Sequence, residues 1–421
     1  MNVLIHPRRL SGSVVIPPSK SQSHRAIIAA SLSKGKSVIN NITMNEDVVA
    51  TIAAMEKIGV KITQNNRQLV IHGVNKIQVA DDNIIDCNES GSTIRFLIPL
   101  LSLSKHKIVM TGKPTLFKRP MLVYEKLFSE RGLYYAQNEK SIIINGNLSC
   151  GLYRIPGNIS SQFFSGLMFA LPLLKDDSVI EIEGELESRD YIEMTIDMLA
   201  RFGVKVIQEN NRYLIPGNQH YTAAHITIEG DYSQMAFFGV AGLLGGDITC
   251  QNMIRQSLQP DRRILDFVND MNGSFDWNDQ RITFHYSTTF GSTIDLSQSP
   301  DIGPILAILA AFSEGYTTLV NAQRLKYKES NRLLAMYETL EKMGVESVMG
   351  DSSLQIKGTS LIEGGHYDSY GDHRIVMALA IAAIRAKSPL IIHHAEAVSK
   401  SYPSFFEDYQ KLGGMISFLE D

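Results

Sequence analysis

The chain has 421 residues, 44% of them hydrophobic and 20% charged, with a formal net charge of −4. That length exceeds what one hydrophobic core usually carries, so two domains are expected, and the charge gives no general attraction to nucleic acid or acidic membranes. Met1 to Leu10 does not read as a secretory signal, and no apolar run is long enough for a bilayer. Cys87, Cys150 and Cys250 are too widely spaced for a zinc or disulfide pattern, which suits reduced thiols in a cytoplasm.

The first informative stretch is Pro17-Pro18-Ser19-Lys20-Ser21-Gln22-Ser23-His24-Arg25. It lies between a β-like run, Val14 to Ile16, and an Ala-rich apolar run, Ala26 to Leu32. The prolines stop the strand, because the residue before each is pushed toward extended geometry. Ser19 or Ser21 can cap the helix that follows. Lys20 and Arg25 sit near a helix end that is already positive, at a cost of roughly 0.3–1 kcal/mol each. Such cations make sense if an anion binds there; a solvated basic loop is an equally good reading. No GxxxxGK[ST] phosphate loop is present in this stretch.

Further along, one phrase recurs: an amphipathic helix end, a glycine, then a β-like run. The glycines are Gly59, Gly132, Gly203, Gly273, Gly344 and Gly413, each suited to a left-handed helix C-cap. Their spacing of about 70 residues argues for six copies of one unit. A second mark keeps step with it. Polar clusters open small-residue apolar helices at Ser19 to Arg25, Glu89 to Arg95, Ser160 to Gln162, Asp231 to Gln234, Pro300 to Gly303 and Gly371 to Arg374. Helices apolar nearly all round, such as Ile305 to Phe312 and Ile375 to Ile384, are normally buried. The expected fold is α/β, in two similar domains of three repeated units. The domains are expected at 14–228 and at 1–13 plus 229–421. Helix starts converging on an interdomain cleft would line an anion site.

The helix starts supply the candidate residues. Lys20, Ser21 and Arg25 open the first. Gly91 lets a ligand approach the backbone and precedes Arg95, while Arg119 stands before Pro120, which can open the next helix. Ser160, Ser161 and Gln162 read equally as helix caps. Ser188 and Tyr191 lie at the following loop-to-helix junction. Asp301, after Pro300, reads most simply as an N-cap. Lys328 and Arg332 are one helical turn apart and can face the same way. Glu329 between them is expected to stay ionised, and a salt-bridged surface helix explains all three as well. Arg374 and His373 open the last buried helix, and Lys400 also reads as a snorkelling surface lysine.

Together PSKSQSHR at 18–25, SGSTIR at 90–95, KRP at 118–120, SSQF at 160–163, SRDY at 188–191, PD at 300–301, KESNR at 328–332, GDHR at 371–374 and KSYP at 400–403 resemble the 5-enolpyruvylshikimate-3-phosphate (EPSP) synthase family. Members transfer the carboxyvinyl group of phosphoenolpyruvate to shikimate 3-phosphate. The resemblance implies two domains of three βαβαββ units each, closing around substrate. It also implies no metal or organic cofactor, and a cytoplasmic monomer without nucleic-acid or membrane partners.

By that resemblance Lys20, Gly91, Arg119, Gln162 and Lys400 hold the phosphate of phosphoenolpyruvate, and Arg332 and Arg374 hold its carboxylate. Lys20, Ser21 and Arg25 bind shikimate 3-phosphate, with Arg25 on its carboxylate. Ser160, Ser161, Gln162, Ser188 and Lys328 serve its phosphate side, and Tyr191, Asp301 and Arg324 its ring side. Asp301 is the implied base, assisted by Lys20, and Glu329 the implied acid at C3. Arg95, Asp372 and His373 support them. Glu89 and Arg324 replace residues that are Asn in some members. The closest rival is UDP-N-acetylglucosamine enolpyruvyl transferase, which has a reactive cysteine in the loop before the residue matching Arg119; residues 113–118 have none. An RNA 3′-phosphate cyclase would want a basic face. A catalytically dead binding protein would be expected to lose Asp301, Glu329 or Lys20.

Overall fold

The computed structural model describes residues 1–74, 77–79 and 83–419. The chain divides into two compact units, Pro18–Ile228 and Met1–Pro17 with Glu229–Asp421, here called the continuous and the split unit. Each has its own hydrophobic core and, among the described residues, three four-stranded sheets.

One sheet of the continuous unit shows the pattern. Strand Gly151–Pro156 runs parallel to Ser178–Glu183. Arg212–Ile215 pairs antiparallel with the latter, and Ile207–Glu209 closes the hairpin. Helices Ser161–Ala170 and Arg189–Arg201 connect the strands. The result is βαβαββ, and the other sheets repeat the same strand order.

Among the described residues, three four-stranded sheets take a strand from far away in sequence. Gly12–Val15 pairs in parallel with Ile248–Gln251 in the split unit. His225–Thr227 pairs in parallel with Lys36–Asn40 in the continuous unit. The boundary therefore falls at Pro18 rather than at residue 14, because Val14 lies opposite Cys250 and Val15 opposite Gln251. The last sheet is completed by the N-terminus, where Asn2–His6 pairs with both Leu390–His393 and Met415–Leu419.

The central helices are those with no polar face. Tyr232–Leu244 and Gly303–Ala311 are buried along their whole length, as expected for helices apolar all round. In Gly91–Leu101 the interior Pro99 cannot donate to the carbonyl of Arg95, and the hydroxyl of Tyr124 donates to that carbonyl instead, at 2.5 Å. Gly166 is needed because a Cβ there would stand 2.4 Å from the same carbonyl oxygen.

The outer helices are amphipathic and stop as the glycine marks anticipate. After Glu46–Lys57, Gly59 takes φ 94°, and Val60 N–H donates to the Met55 carbonyl at 3.2 Å, a Schellman closure. The fourth mark differs. Asn272, not Gly273, is left-handed there (φ 63°), and Gly273 N–H donates to Val268 at 2.7 Å. Asn is the other residue that tolerates this conformation. Among the described residues no helix is long and apolar enough to cross a membrane.

Candidate functional site

In the continuous unit, serines cap the starts of all three buried helices. Ser19 accepts from Gln22 N–H, Ser90 from Thr93 N–H and Ser160 from Gln162 N–H. Ser160 and Ser161 are both buried, and Ser161 is the first residue of its helix rather than a second cap. Lys20 is the first residue of its helix, and its Nζ meets Asp47 Oδ2 at 2.7 Å. Asp47 opens the neighbouring helix Glu46–Lys57.

Arg25 joins Ser21 and Tyr191 of the sequence-derived set to Thr195 and Ser165, which sequence reasoning missed. Its Nε donates to Thr195 Oγ1 at 2.7 Å and its Nη1 to the carbonyl of Ser21 at 2.8 Å. Its Nη2 donates to the carbonyl of Tyr191 at 3.1 Å and to Ser165 Oγ at 3.4 Å. Phe96 lies across the guanidinium at 5.0 Å. All these partners are uncharged, and burial pulls the Arg25 pKa down to about 10, with Tyr191 opposing. Ser188, in the left-handed region with φ 54°, starts the helix that carries Tyr191.

A second group forms around Gly91. A Cβ there would lie 2.7 Å from Arg119 Nη1, so glycine is what lets that guanidinium rest on the helix start. Arg119 Nη2 is 3.9 Å from Glu89 Oε1, and Lys113 is 3.9 Å from Glu89 Oε2. Pro120 does not open the next helix, which begins at Leu122 after Met121. Arg95 donates to Gln162 Oε1 at 2.8 Å, and Gln162 Nε2 donates to Ser92 Oγ at 2.9 Å. Arg95 and Ser92 thus fix the orientation of the Gln162 amide. Deeper in, His24 Nδ1, Thr51, Thr93 and Ser90 form a chain of side-chain contacts of 2.6–2.7 Å. Burial, partly offset by Asp47, drives His24 down to about 3, with Lys20 and Arg25 adding to the fall.

In the split unit Asp301 is not a cap. It lies in the 3₁₀ turn Pro300–Ile302, which makes no side-chain cap bond. Its carboxylate meets Lys328 Nζ at 2.8 Å, Arg332 Nη1 at 3.2 Å and Arg374 Nη2 at 3.4 Å. Burial pushes its pKa up, but Lys328, Arg374 and Arg332 outweigh that and hold it well below the usual carboxylate range. Lys328 is lowered, chiefly by burial, while Asp301 resists the fall.

Lys328 and Arg332 do converge, though not by sharing a helix face. Lys328 ends the 3₁₀ turn Gln323–Tyr327, whereas Arg332 begins the helix Arg332–Lys342 behind its cap Asn331. Nor is this a solvated surface, since Arg332 is only 1% exposed. Its Nε and Nη2 grip both oxygens of Asp372, at 2.8 and 3.1 Å, and Nη2 also meets Glu329 Oε2 at 2.6 Å. Burial opposes the Arg332 charge, but Asp372, Glu329 and Asp301 together raise its pKa. Asp372 also caps the helix His373–Ala382 through Arg374 N–H. Lys400 is buried and stands 4.0 Å from Glu329 Oε1, so it is not a snorkelling surface lysine. Arg324 is buried on the 3₁₀ turn, and His373 Nδ1 lies 3.6 Å from Asp372.

Asp47, paired with Lys20, and the buried Asp261, whose carboxylate accepts from Ser233 Oγ, are not in the sequence-derived set. Asp47 looks like any acid in a first helical turn. For Asp261 the one available signal is that Pro260-Asp261 repeats the dipeptide Pro300-Asp301.

Residues 5–409 match the family described as EPSP synthase (3-phosphoshikimate 1-carboxyvinyltransferase). The 3-phosphoshikimate 1-carboxyvinyltransferase of Clostridium perfringens is 44% identical over 418 residues, covering 98% of this chain and 99% of that protein. Its counterpart from Clostridium kluyveri is 46% identical over 417 residues, covering 98% of each. Among solved structures, the EPSP synthase of Acinetobacter baumannii aligns with a TM-score of 0.83 and 26% identity, over 99% of this chain and 100% of that one. The enolpyruvyl transferase NikO of Streptomyces tendae shares the fold, with a TM-score of 0.80 at 15% identity over 99% of this chain and 98% of that one.

Proposed function

The chain belongs to the EPSP synthase family, and from that premise we propose that it transfers the carboxyvinyl group of phosphoenolpyruvate to the 5-hydroxyl of shikimate 3-phosphate, releasing phosphate. The observation that carries the reading is Arg25. Its guanidinium is buried among neutral acceptors, and among the described residues no carboxylate lies within ion-pairing distance. Burying an unmatched cation is costly, and an anionic ligand offsets that cost. Shikimate 3-phosphate brings such an anion as its carboxylate.

In this reading Lys20, Ser21, Ser160, Ser161, Gln162, Ser188, Tyr191, Arg324 and Lys328 complete the acceptor site. Lys20, Gly91, Arg119, Gln162 and Lys400 take the phosphate of phosphoenolpyruvate. Arg374 takes its carboxylate, for which a guanidinium fork is suited, and Arg332 joins once substrate replaces one of its present carboxylate partners. The 5-hydroxyl attacks C2 while C3 is protonated, and the tetrahedral adduct then expels phosphate and loses a proton from C3. Asp301, assisted by Lys20, accepts the hydroxyl proton. Its proton affinity rises when bound anions draw Lys328 and Arg374 away from it. Glu329 handles the C3 proton, and its contacts with Arg332 and Lys400 are the ones that anionic substrates compete for.

The free thiols Cys87, Cys150 and Cys250 support a reducing cytoplasm. The test is a phosphate-release assay with phosphoenolpyruvate and either acceptor. Release with shikimate 3-phosphate is expected. Release with UDP-N-acetylglucosamine alone would move the chain to the rival specificity.

A further inference from the structure

Four buried side chains link three helices of the continuous unit, and the reaction above uses none of them. His24 lies in the helix Lys20–Leu32 and Thr51 in Glu46–Lys57. Thr93 lies in Gly91–Leu101, and Ser90 caps that helix. All four are fully buried. His24 Nδ1 stands 2.7 Å from Thr51 Oγ1, and Thr51 Oγ1 stands 2.6 Å from Thr93 Oγ1. Thr93 Oγ1 donates to Ser90 Oγ at 2.7 Å. The chain runs one way, because a hydroxyl has one proton to give. Thr93 gives its proton to Ser90, so it accepts from Thr51. Thr51 gives its proton to Thr93, since its other acceptor, the carbonyl of Asp47, is 3.4 Å away. Thr51 must therefore accept from His24 Nδ1–H. Nothing on the far side of the ring competes for that proton, because among the described residues His24 Nε2 has no hydrogen-bond partner. Burial keeps the imidazole neutral, with its pKa pulled down to about 3, so one ring nitrogen carries a proton and the other does not.

We propose that His24 is a positioning residue for the phosphate of phosphoenolpyruvate: as the Nδ1–H tautomer it donates into a one-way hydrogen-bond chain that fixes the Ser90 cap and so the backbone at Gly91. This rests on the role given to Gly91 above. Ser90 Oγ ends the chain and also accepts from Thr93 N–H at 3.2 Å, which holds the first turn in place. The same chain ties that helix to the two that carry Lys20 and its partner Asp47, so residues assigned to the phosphate keep a common register. Hydrogen bonds in series in a low-dielectric interior polarise one another, so loss of the first donor is felt at the last acceptor. No proton is transferred and no covalent bond changes.

His24→Leu keeps an apolar bulk and removes the donor. The KM for phosphoenolpyruvate is expected to rise about two- to tenfold, the worth of one neutral hydrogen bond, with kcat close to the parent value. His24→Asn can place an amide N–H where Nδ1–H stood and is expected to bring KM back toward the parent. Thr51→Val breaks the chain in its middle at nearly constant shape and should match His24→Leu. Combining the two should raise KM no further, because both cut one chain. A magnetic-resonance readout needs no turnover and serves even if His24→Leu folds poorly. Two-bond proton–nitrogen correlations of histidine-labelled protein, with His24→Asn identifying the signal, are expected to show Nδ1–H. A parent-like KM in His24→Leu or Thr51→Val, no recovery in His24→Asn, an additive double variant, or an Nε2–H tautomer would each overturn the inference. A parent protein that turns over no shikimate 3-phosphate would instead overturn the function proposed above.

Discussion

Gly91→Ala isolates the contact between the second helix start and Arg119. Gly91 is the first residue of its helix and does not have a positive φ, so alanine fits the backbone without strain and improves helix propensity by up to about 1 kcal/mol. The new Cβ would lie 2.7 Å from Arg119 Nη1, whereas ordinary contact begins near 3.4 Å. The guanidinium is the free end of a flexible side chain, so it yields, by about 0.7 Å. A charge-assisted bond from Arg119 to a phosphate oxygen near 2.8 Å would then stretch to about 3.5 Å, the limit of a hydrogen bond. Losing a charged hydrogen bond is worth about 1.5–3 kcal/mol, or roughly ten- to a hundredfold in affinity. The assay is steady-state KM for phosphoenolpyruvate at saturating shikimate 3-phosphate, with thermal unfolding of the same sample. The expected result is a raised KM with an unchanged or slightly higher Tm. An unchanged KM would show that Arg119 does not hold the substrate, and a large fall in Tm would refute the claim that only the guanidinium moves.

Three further outcomes follow from the same geometry. Glu329→Gln keeps the acceptor for Arg332 yet cannot transfer a proton, so turnover should fall by roughly 10²–10⁴; a normal rate removes Glu329 from the proton transfers. Asp301→Asn leaves three cations around a neutral amide and should cost about 3 kcal/mol in urea denaturation, at the low end because Asp301 is 21% exposed. Because its carboxyl is held below the ordinary range, that contribution is complete at neutral pH and is lost only as pH falls below about 3.9. A parent-like urea midpoint for the variant at pH 7 would contradict it. His24, at about 3 when folded, must gain a proton to unfold in mild acid. Its share of stability is therefore present above about pH 6.5 and drains as pH drops toward 3. His24→Asn should flatten that acid limb in denaturation midpoints measured from pH 7 to pH 5, and an identical slope would count against a neutral buried imidazole.

Much of the repeat was legible because its marks are local. A helix that ends on a left-handed residue needs glycine, or asparagine as at Asn272, whatever surrounds it. Helix starts were legible for the same reason, through Ser19, Ser90, Ser160, Asp231 and Asp372. Pairing was not, because nothing within Gly12–Val15 records that its partner is Ile248–Gln251. Site chemistry was misjudged wherever a local explanation sufficed. Asp301 after Pro300 looks like a cap until Lys328, Arg332 and Arg374 close around it. Lys328 and Arg332 look like helix neighbours, yet a 3₁₀ turn and a fresh helix start bring them together. Asp47 carries no signal beyond that of an ordinary acid near a helix start, and Asp261 none beyond the dipeptide it shares with Asp301, since their contacts come from elements far away in the chain.

The proposed function rests most heavily on the residues it assigns to phosphoenolpyruvate. It is tested most directly by Arg119→Ala in the continuous unit and Arg374→Ala in the split unit, each titrated with phosphoenolpyruvate at saturating shikimate 3-phosphate. Both variants are expected to raise KM for phosphoenolpyruvate by about tenfold or more. A parent-like KM in either one would contradict the claim.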